Sequence, residues 1–152
     1  MNLTEKERTV IMDLQTQEQT CMDKYKKYSN DAKDPVLKDL FKELEKNEEK
    51  HFQSLNEVLS GKVPCCDCND SQGKDYSPKA TYDVMSDAQD KKDDCLLATD
   101  SIGTEKMVSS EYNSNVFSFG DADIRKLLAD IQVEEQNHAE MLYKYKTVNG
   151  MV

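Results

Sequence analysis

The stretch DPVLKDLFKELEKNEEKHFQSL, residues 34–55, decides the fold. Leu37, Leu40, Phe41, Leu44 and Leu55 recur at steps of three and four, the period of a helix with one apolar face. Glu48 and His51 fall on that same face. Burying a carboxylate or an imidazolium without compensation costs several kcal/mol, so a Glu/His pair set three residues apart on an inward face needs a partner. Asp34 supplies a cap and Pro35 a first helical residue whose missing N–H costs nothing, while Gly61 supplies a stop. The stretch predicts a helix over 35–60 with charge aimed into the core.

Its partner is found by sliding the chain 87 positions along itself. Glu18 then meets Glu105, Tyr25 meets Tyr112, Asp34 meets Asp121, Lys38 meets Arg125, Glu48 meets Glu135 and His51 meets His138. Matched Leu positions would follow from any two amphipathic helices, so the polar matches carry the information. With thirteen glutamates and two histidines in 152 residues, both histidines following a Glu by three has a chance probability of about one in 140.

Around these segments the remaining helices fall into place. Thr4-x-x-Glu7 has the form of a capping box and opens a helix over about 4–33, with Ile11, Leu14, Glu18, Cys21, Tyr25 and Tyr28 inward. Ser86-x-x-Gln89 has the same form and opens a helix over about 86–119, with Ala98, Ile102, Glu105, Val108, Tyr112 and Val116 inward. The helix over 121–148 follows Gly120-Asp121 and turns Ile124, Leu127, Leu128, Ile131, Glu135, His138, Leu142 and Tyr145 inward. Residues 61–85 lack periodicity, and a loop of that length suits a crossover along a bundle. The reading is all-α: one four-helix bundle over 1–152, built from two hairpins. Glu18 and Glu48 lie about 15 residues either side of their turn, so both stand ~22 Å from it. Glu105 and Glu135 flank the second turn alike. One Glu from each of two helices, with Glu-x-x-His from each of the other two, is the ligand set of a carboxylate-bridged dimetal site. The metal-free alternative, a polar core of Glu, His and Tyr, leaves four carboxylates in mutual repulsion.

On these residues the chain resembles the ferritin-like superfamily, the group of bacterioferritins, rubrerythrins and manganese catalases, over nearly its whole length. The resemblance implies a ferritin-like bundle holding two iron or manganese ions, with zinc a redox-inactive alternative. It assigns Glu18, Glu48, His51, Glu105, Glu135 and His138 as ligands, with Glu48 and Glu135 bridging. Tyr25, seven residues after Glu18, matches a ferritin position, and Tyr112 is its repeat mate; both are expected around the ligands. Oxidation of Fe(II), or handling of oxygen or peroxide, is the implied chemistry. More narrowly, Leu97-Ala98-Thr99, the segment Lys106 to Asn113 and Glu134-Glu135-Gln136-Asn137-His138 are similar to the spore coat protein F type, which implies a place in the spore coat. Two departures count: no pair of Cys-x-x-Cys motifs marks a rubredoxin module, and no fifth short helix supports a cage.

Composition bounds the partners. Thirty acidic against twenty basic residues give a formal charge of −10, which repels phosphate backbones and argues against nucleic acid. The longest apolar runs are far below the ~20 residues of a membrane span, and the N-terminus has no apolar leader core, so a cytoplasmic protein is expected. Five cysteines, three of them Cys65, Cys66 and Cys68, read as reduced thiols, with a crosslink or a metal as alternatives for the cluster. Cys21 and Cys95 read as core. Glu49, Glu111, Glu134 and Glu140, and the stretch Asp87 to Asp100, read as solvated surface. Phe117, Phe119 and Met141 near helix ends point to a homodimer. The competing functional reading is a structural coat-type block that assembles through its cysteine loop.

Overall fold

The computed structural model describes residues 1–66 and 71–152. Its long helices are α1 (Glu5–Asp31), α2 (Pro35–Leu59), α4 (Gln89–Asn115) and α5 (Ala122–Val148), with one helical turn, α3 (Gln72–Asp75), inside the crossover. Helix α1 packs along α2, and α4 along α5, giving the two hairpins of a ferritin-like bundle with no strand among the described residues.

Local chemistry sets the helix starts. Thr4 and Glu7 form the reciprocal box, with Glu7 N donating to Thr4 Oγ1 at 3.2 Å and Thr4 N to Glu7 Oε2 at 2.8 Å. Asp34 Oδ1 accepts from Val36 N at 2.9 Å, and its repeat mate Asp121 accepts from Asp123 N at 2.8 Å. Lys38 and Arg125, also mates, donate back to the carbonyls just before those turns: Lys38 to Ser29 and Asn30, Arg125 to Phe119 and Gly120.

The Ser86-x-x-Gln89 box does not form. Ser86 Oγ accepts instead from Ala88 N, and α4 begins at Gln89 without a side-chain cap. Tertiary contacts set this start. Lys91 Nζ donates to the carbonyls of Asp83 and Val84 at 3.0 and 2.8 Å. Asp94, fully buried, accepts from Lys33 N at 2.8 Å, Asp34 N at 2.9 Å and Tyr82 Oη at 2.7 Å. The expectation of a solvated face over Asp87–Asp100 is corrected accordingly: Lys91 and Asp94 fasten the end of the crossover and the α1–α2 turn to α4. Helix α4 ends at Asn115, earlier than the expected 119, and a 3-10 turn over Val116–Ser118 follows.

The core has two apolar lobes. Ile11, Leu14, Val58, Val108, Ile124 and Ile131 belong to one; Leu37, Phe41, Leu44, Ala98, Met141 and Leu142 to the other. Each fully buried Leu, Ile or Phe contributes roughly 1.5–3 kcal/mol. Phe119 and Met141 are buried within the chain, so of the three residues taken to point to a dimer only Phe117 is exposed, at 93%. Cys95 is half-buried rather than core, and Cys21 is buried. No helix among the described residues is long and apolar enough to cross a membrane.

Candidate metal centre

Between the two lobes lies a layer of buried charge. Glu18, Glu48, His51, Glu105, Glu135 and His138 all come together there, none more than 3% exposed. They form two overlapping groups, Glu18/Glu48/His51/Glu135 and Glu48/Glu105/Glu135/His138, with candidate ligand atoms within 4.8 Å of one another in each. Glu48 and Glu135 belong to both. Both histidines turn Nδ1 inward. His51 Nδ1 lies 3.0 Å from Glu48 Oε2 and 3.1 Å from Glu135 Oε1, and His138 Nδ1 lies 3.2 Å from Glu48 Oε1 and 3.5 Å from Glu105 Oε2.

The tyrosines cross between the hairpins. Tyr25 Oη on α1 donates to Glu105 on α4, and Tyr112 Oη on α4 donates to Glu18 on α1. Each fixes one oxygen of an outer carboxylate and leaves the other turned to the layer. Burial and the surrounding carboxylates push both phenols well above their ordinary range, so they act as donors.

Protons balance the charge of the layer as it stands. Burial, helped by the Glu48 charge, pushes Glu18 up to about 8, and burial with the charges of Glu105 and Glu48 raises Glu135 well above the usual carboxylate range. For Glu48 burial is outweighed by His138 and His51, which hold its carboxyl well below the usual range. For the histidines burial is again outweighed: Glu134, Glu135 and Glu18 raise His51, and Glu105 and Glu48 raise His138. Even so, Glu18 Oε2, Glu105 Oε2, both Glu135 oxygens and His138 Nε2 are buried without a hydrogen-bond partner among the described residues. Four of these five orphaned atoms are carboxylate oxygens of the two groups, the pattern left where cations complete the coordination. Hard oxygens with two imidazoles suit iron, manganese or zinc, so the residues fit a dimetal carboxylate centre.

Glu49, Glu111 and Glu140 are exposed, as expected, but Glu134 is not simply surface. Its Oε2 lies 2.5 Å from His51 Nε2 with the side chain 22% exposed, so it holds the outer nitrogen of a ligand candidate. Periodicity places Glu134 just off the stripe, and the repeat sets it opposite Asn47 rather than a second carboxylate, so neither signal marks it. Neither ligand group includes a described cysteine. Cys65 is exposed and Cys66 packs at the edge of an apolar lobe; Cys68 lies outside the described residues. Cys21, Cys65 and Cys95 are free, and burial pushes the Cys21 thiol far above its ordinary range, leaving it protonated.

The rubrerythrin family model matches residues 15–146, most of the chain and every residue of the charged layer, so the chain belongs to the rubrerythrin family. The match carries nothing specific to the spore coat protein F type. No curated protein and no solved structure gives a significant match.

Proposed function

With rubrerythrin-family membership as the premise, we propose that this chain is a non-haem dimetal oxidoreductase, using iron or manganese, that oxidises Fe(II) or consumes peroxide. The carrying observation is that two four-residue groups share Glu48 and Glu135 while four of their eight carboxylate oxygens have no hydrogen-bond partner among the described residues. When bound, a pair of redox-active ions supplies a two-electron couple for dioxygen or hydrogen peroxide. The protein's own part is positional. Tyr25 and Tyr112 fix the outer carboxylates, Glu134 fixes His51, and the apolar lobes keep bulk water from the layer. Carboxyl groups that hold protons in the metal-free state give them up as cations bind.

Metal analysis beside Fe(II)-oxidation and peroxide-consumption assays tests this. Wild-type chain is expected to hold about two ions, and Glu48→Ala/Glu135→Ala to hold none and turn nothing over. A wild-type chain that stays metal-free after aerobic Fe(II) loading overturns the proposal. The structural, coat-type reading then stands, and alkylation of the exposed Cys65 should alter assembly.

A further inference from the structure

Every ligand candidate is buried to 3% exposure or less, so a cation can reach the layer only past a side chain that touches both solvent and the layer. Glu134 is such a side chain, 22% exposed and 2.5 Å from His51 Nε2. It lines, with His51, Glu43, Asn47, Gln72 and Asp75, a cleft of about 340 Å³ between α2, α5 and α3.

The cleft has a built wall. Gln72 Nε2 donates to Glu43 Oε1 at 2.9 Å, and Asn47 Nδ2 donates to Gln72 Oε1 at 3.1 Å, tying α3 to α2. On the α5 side Gly73 N donates to Asn137 Oδ1 at 3.1 Å, and Lys144 Nζ to Gly73 O at 2.6 Å. Only glycine allows that approach, since a Cβ at 73 would stand 2.8 Å from Asn137 Oδ1. Three carboxylates, Glu43, Asp75 and Glu134, face the cleft against one ammonium, Lys50. A low-dielectric cleft with that balance concentrates cations and repels anions. The other half of the repeat offers no counterpart at these positions: Asn47 replaces the carboxylate, and His138 is fully buried with Nε2 unpartnered.

We propose that this cleft is the route by which divalent cations reach the buried centre, and that Glu134 passes them beside His51 into the layer. The route rests on the dimetal reading, and its test separates the two. Chain stripped with chelator is mixed with Co(II), whose visible absorption reports occupancy, and loaded chain is mixed with EDTA to follow release. Glu134→Gln, whose amide oxygen still accepts from His51 Nε2 and so keeps the imidazole oriented, is expected to load roughly tenfold more slowly and to release more slowly by a similar factor, because a transit residue acts in both directions. Glu43→Gln/Asp75→Asn, which touches no ligand candidate, is expected to load several-fold more slowly and to lose most of the salt dependence that wild-type loading shows. Wild-type loading rates in both variants overturn the route. So does a Glu134→Gln chain that loads normally and releases faster, since Glu134 would then only orient His51. If wild-type chain takes up no Co(II) at all, the dimetal reading has failed and the route falls with it.

Discussion

The α1–α2 and α4–α5 hairpins correspond residue for residue at mid-height and part company away from it. At the centre the correspondence is reciprocal: Tyr25 serves Glu105, Tyr112 serves Glu18, and Glu48 and Glu135 each belong to both ligand groups. One step outward, Glu134 holds His51 where its mate Asn47 binds Gln72 and leaves His138 Nε2 unpartnered. At the helix ends Asp94 is a fully buried anchor, whereas its mate Glu7 is a half-buried cap that accepts from Gly120 N only at 3.5 Å. The pseudo-symmetry is kept where four carboxylates must share a charge and is given up where each hairpin meets a different loop.

Breaking one half at a time gives the largest expected effect. Glu105→Ala leaves the Glu18/His51 group intact with its outer carboxylate, and about one ion per chain should remain. Glu18→Ala leaves only the Glu105/His138 group, and the remaining ion should bind 10- to 100-fold more weakly, because His138 Nε2 has no acceptor among the described residues to orient its ring. Metal titration of the two variants decides this. Equal residual affinity would mean that Glu134 contributes nothing to the difference between the halves.

The contrast between charged layer and apolar lobes predicts a pH dependence for chelator-stripped chain. Glu18, at about 8, and Glu135 are raised above the usual carboxylate range, and both histidines are raised above theirs. In each case the folded state binds more protons than the unfolded one, so stability is full at low pH and declines as pH rises. Glu48, depressed, acts in the opposite sense only below the ordinary carboxylate range, outside this window. Urea midpoints of stripped chain should therefore fall between about pH 5 and pH 8, and Glu18→Gln/Glu135→Gln should flatten the fall. Saturating Co(II) should reverse the slope, because binding releases protons. A stripped chain that gains stability over this range would show that the layer is not charged as described.

Asp94 and Glu7 sharpen the comparison at the ends. Asp94→Ala strips one buried amide, one part-buried amide and a phenol of their acceptor and should cost about 3 kcal/mol. Glu7→Ala loses half of an exposed capping box and should cost about 0.5–1 kcal/mol. Urea unfolding at constant pH measures both, and equal costs would mean that the α4 start is held by its packing rather than by this carboxylate.

This pair also marks what the sequence could convey. The bundle and the six candidates were legible because charge at a helical period on apolar stripes, repeated at one offset, is too costly to bury unless the charges meet. Glu134 was hidden because the same period that reveals Glu135 turns its neighbour outward. Lys91 and Asp94 were hidden because all but one of their partners, the Tyr82 hydroxyl, are backbone groups of Lys33, Asp34, Asp83 and Val84, which leave no trace in side-chain pattern. The Ser86 box failed for the same reason: a local signature worth about 1 kcal/mol yields to a tertiary contact that buries a carboxylate with three donors. Local chemistry decides where nothing else is bonded nearby, as at Thr4, and is overridden where a loop must be fastened.

Two glycines give the smallest effects and separate regular helix from built wall. Gly103 lies in the exposed interior of α4 with nothing within 4 Å of an added Cβ, so Gly103→Ala should stabilise the chain by about 0.5–1 kcal/mol through helix propensity alone. At Gly73 an added Cβ would stand 2.7 Å from Glu140 Oε2 and 3.1 Å from Asn137 Cα, a backbone atom that cannot swing aside. Gly73→Ala should therefore lift α3 from α5 at a cost of about 1 kcal/mol. The sign difference, read by urea unfolding, is the informative quantity. Opposite signs place Gly73 in the wall of the cleft for steric reasons; a stabilising Gly73→Ala would mean that α3 moves away from α5 at little cost and that the cleft is wider in solution than its bonds to Asn137 and Lys144 imply.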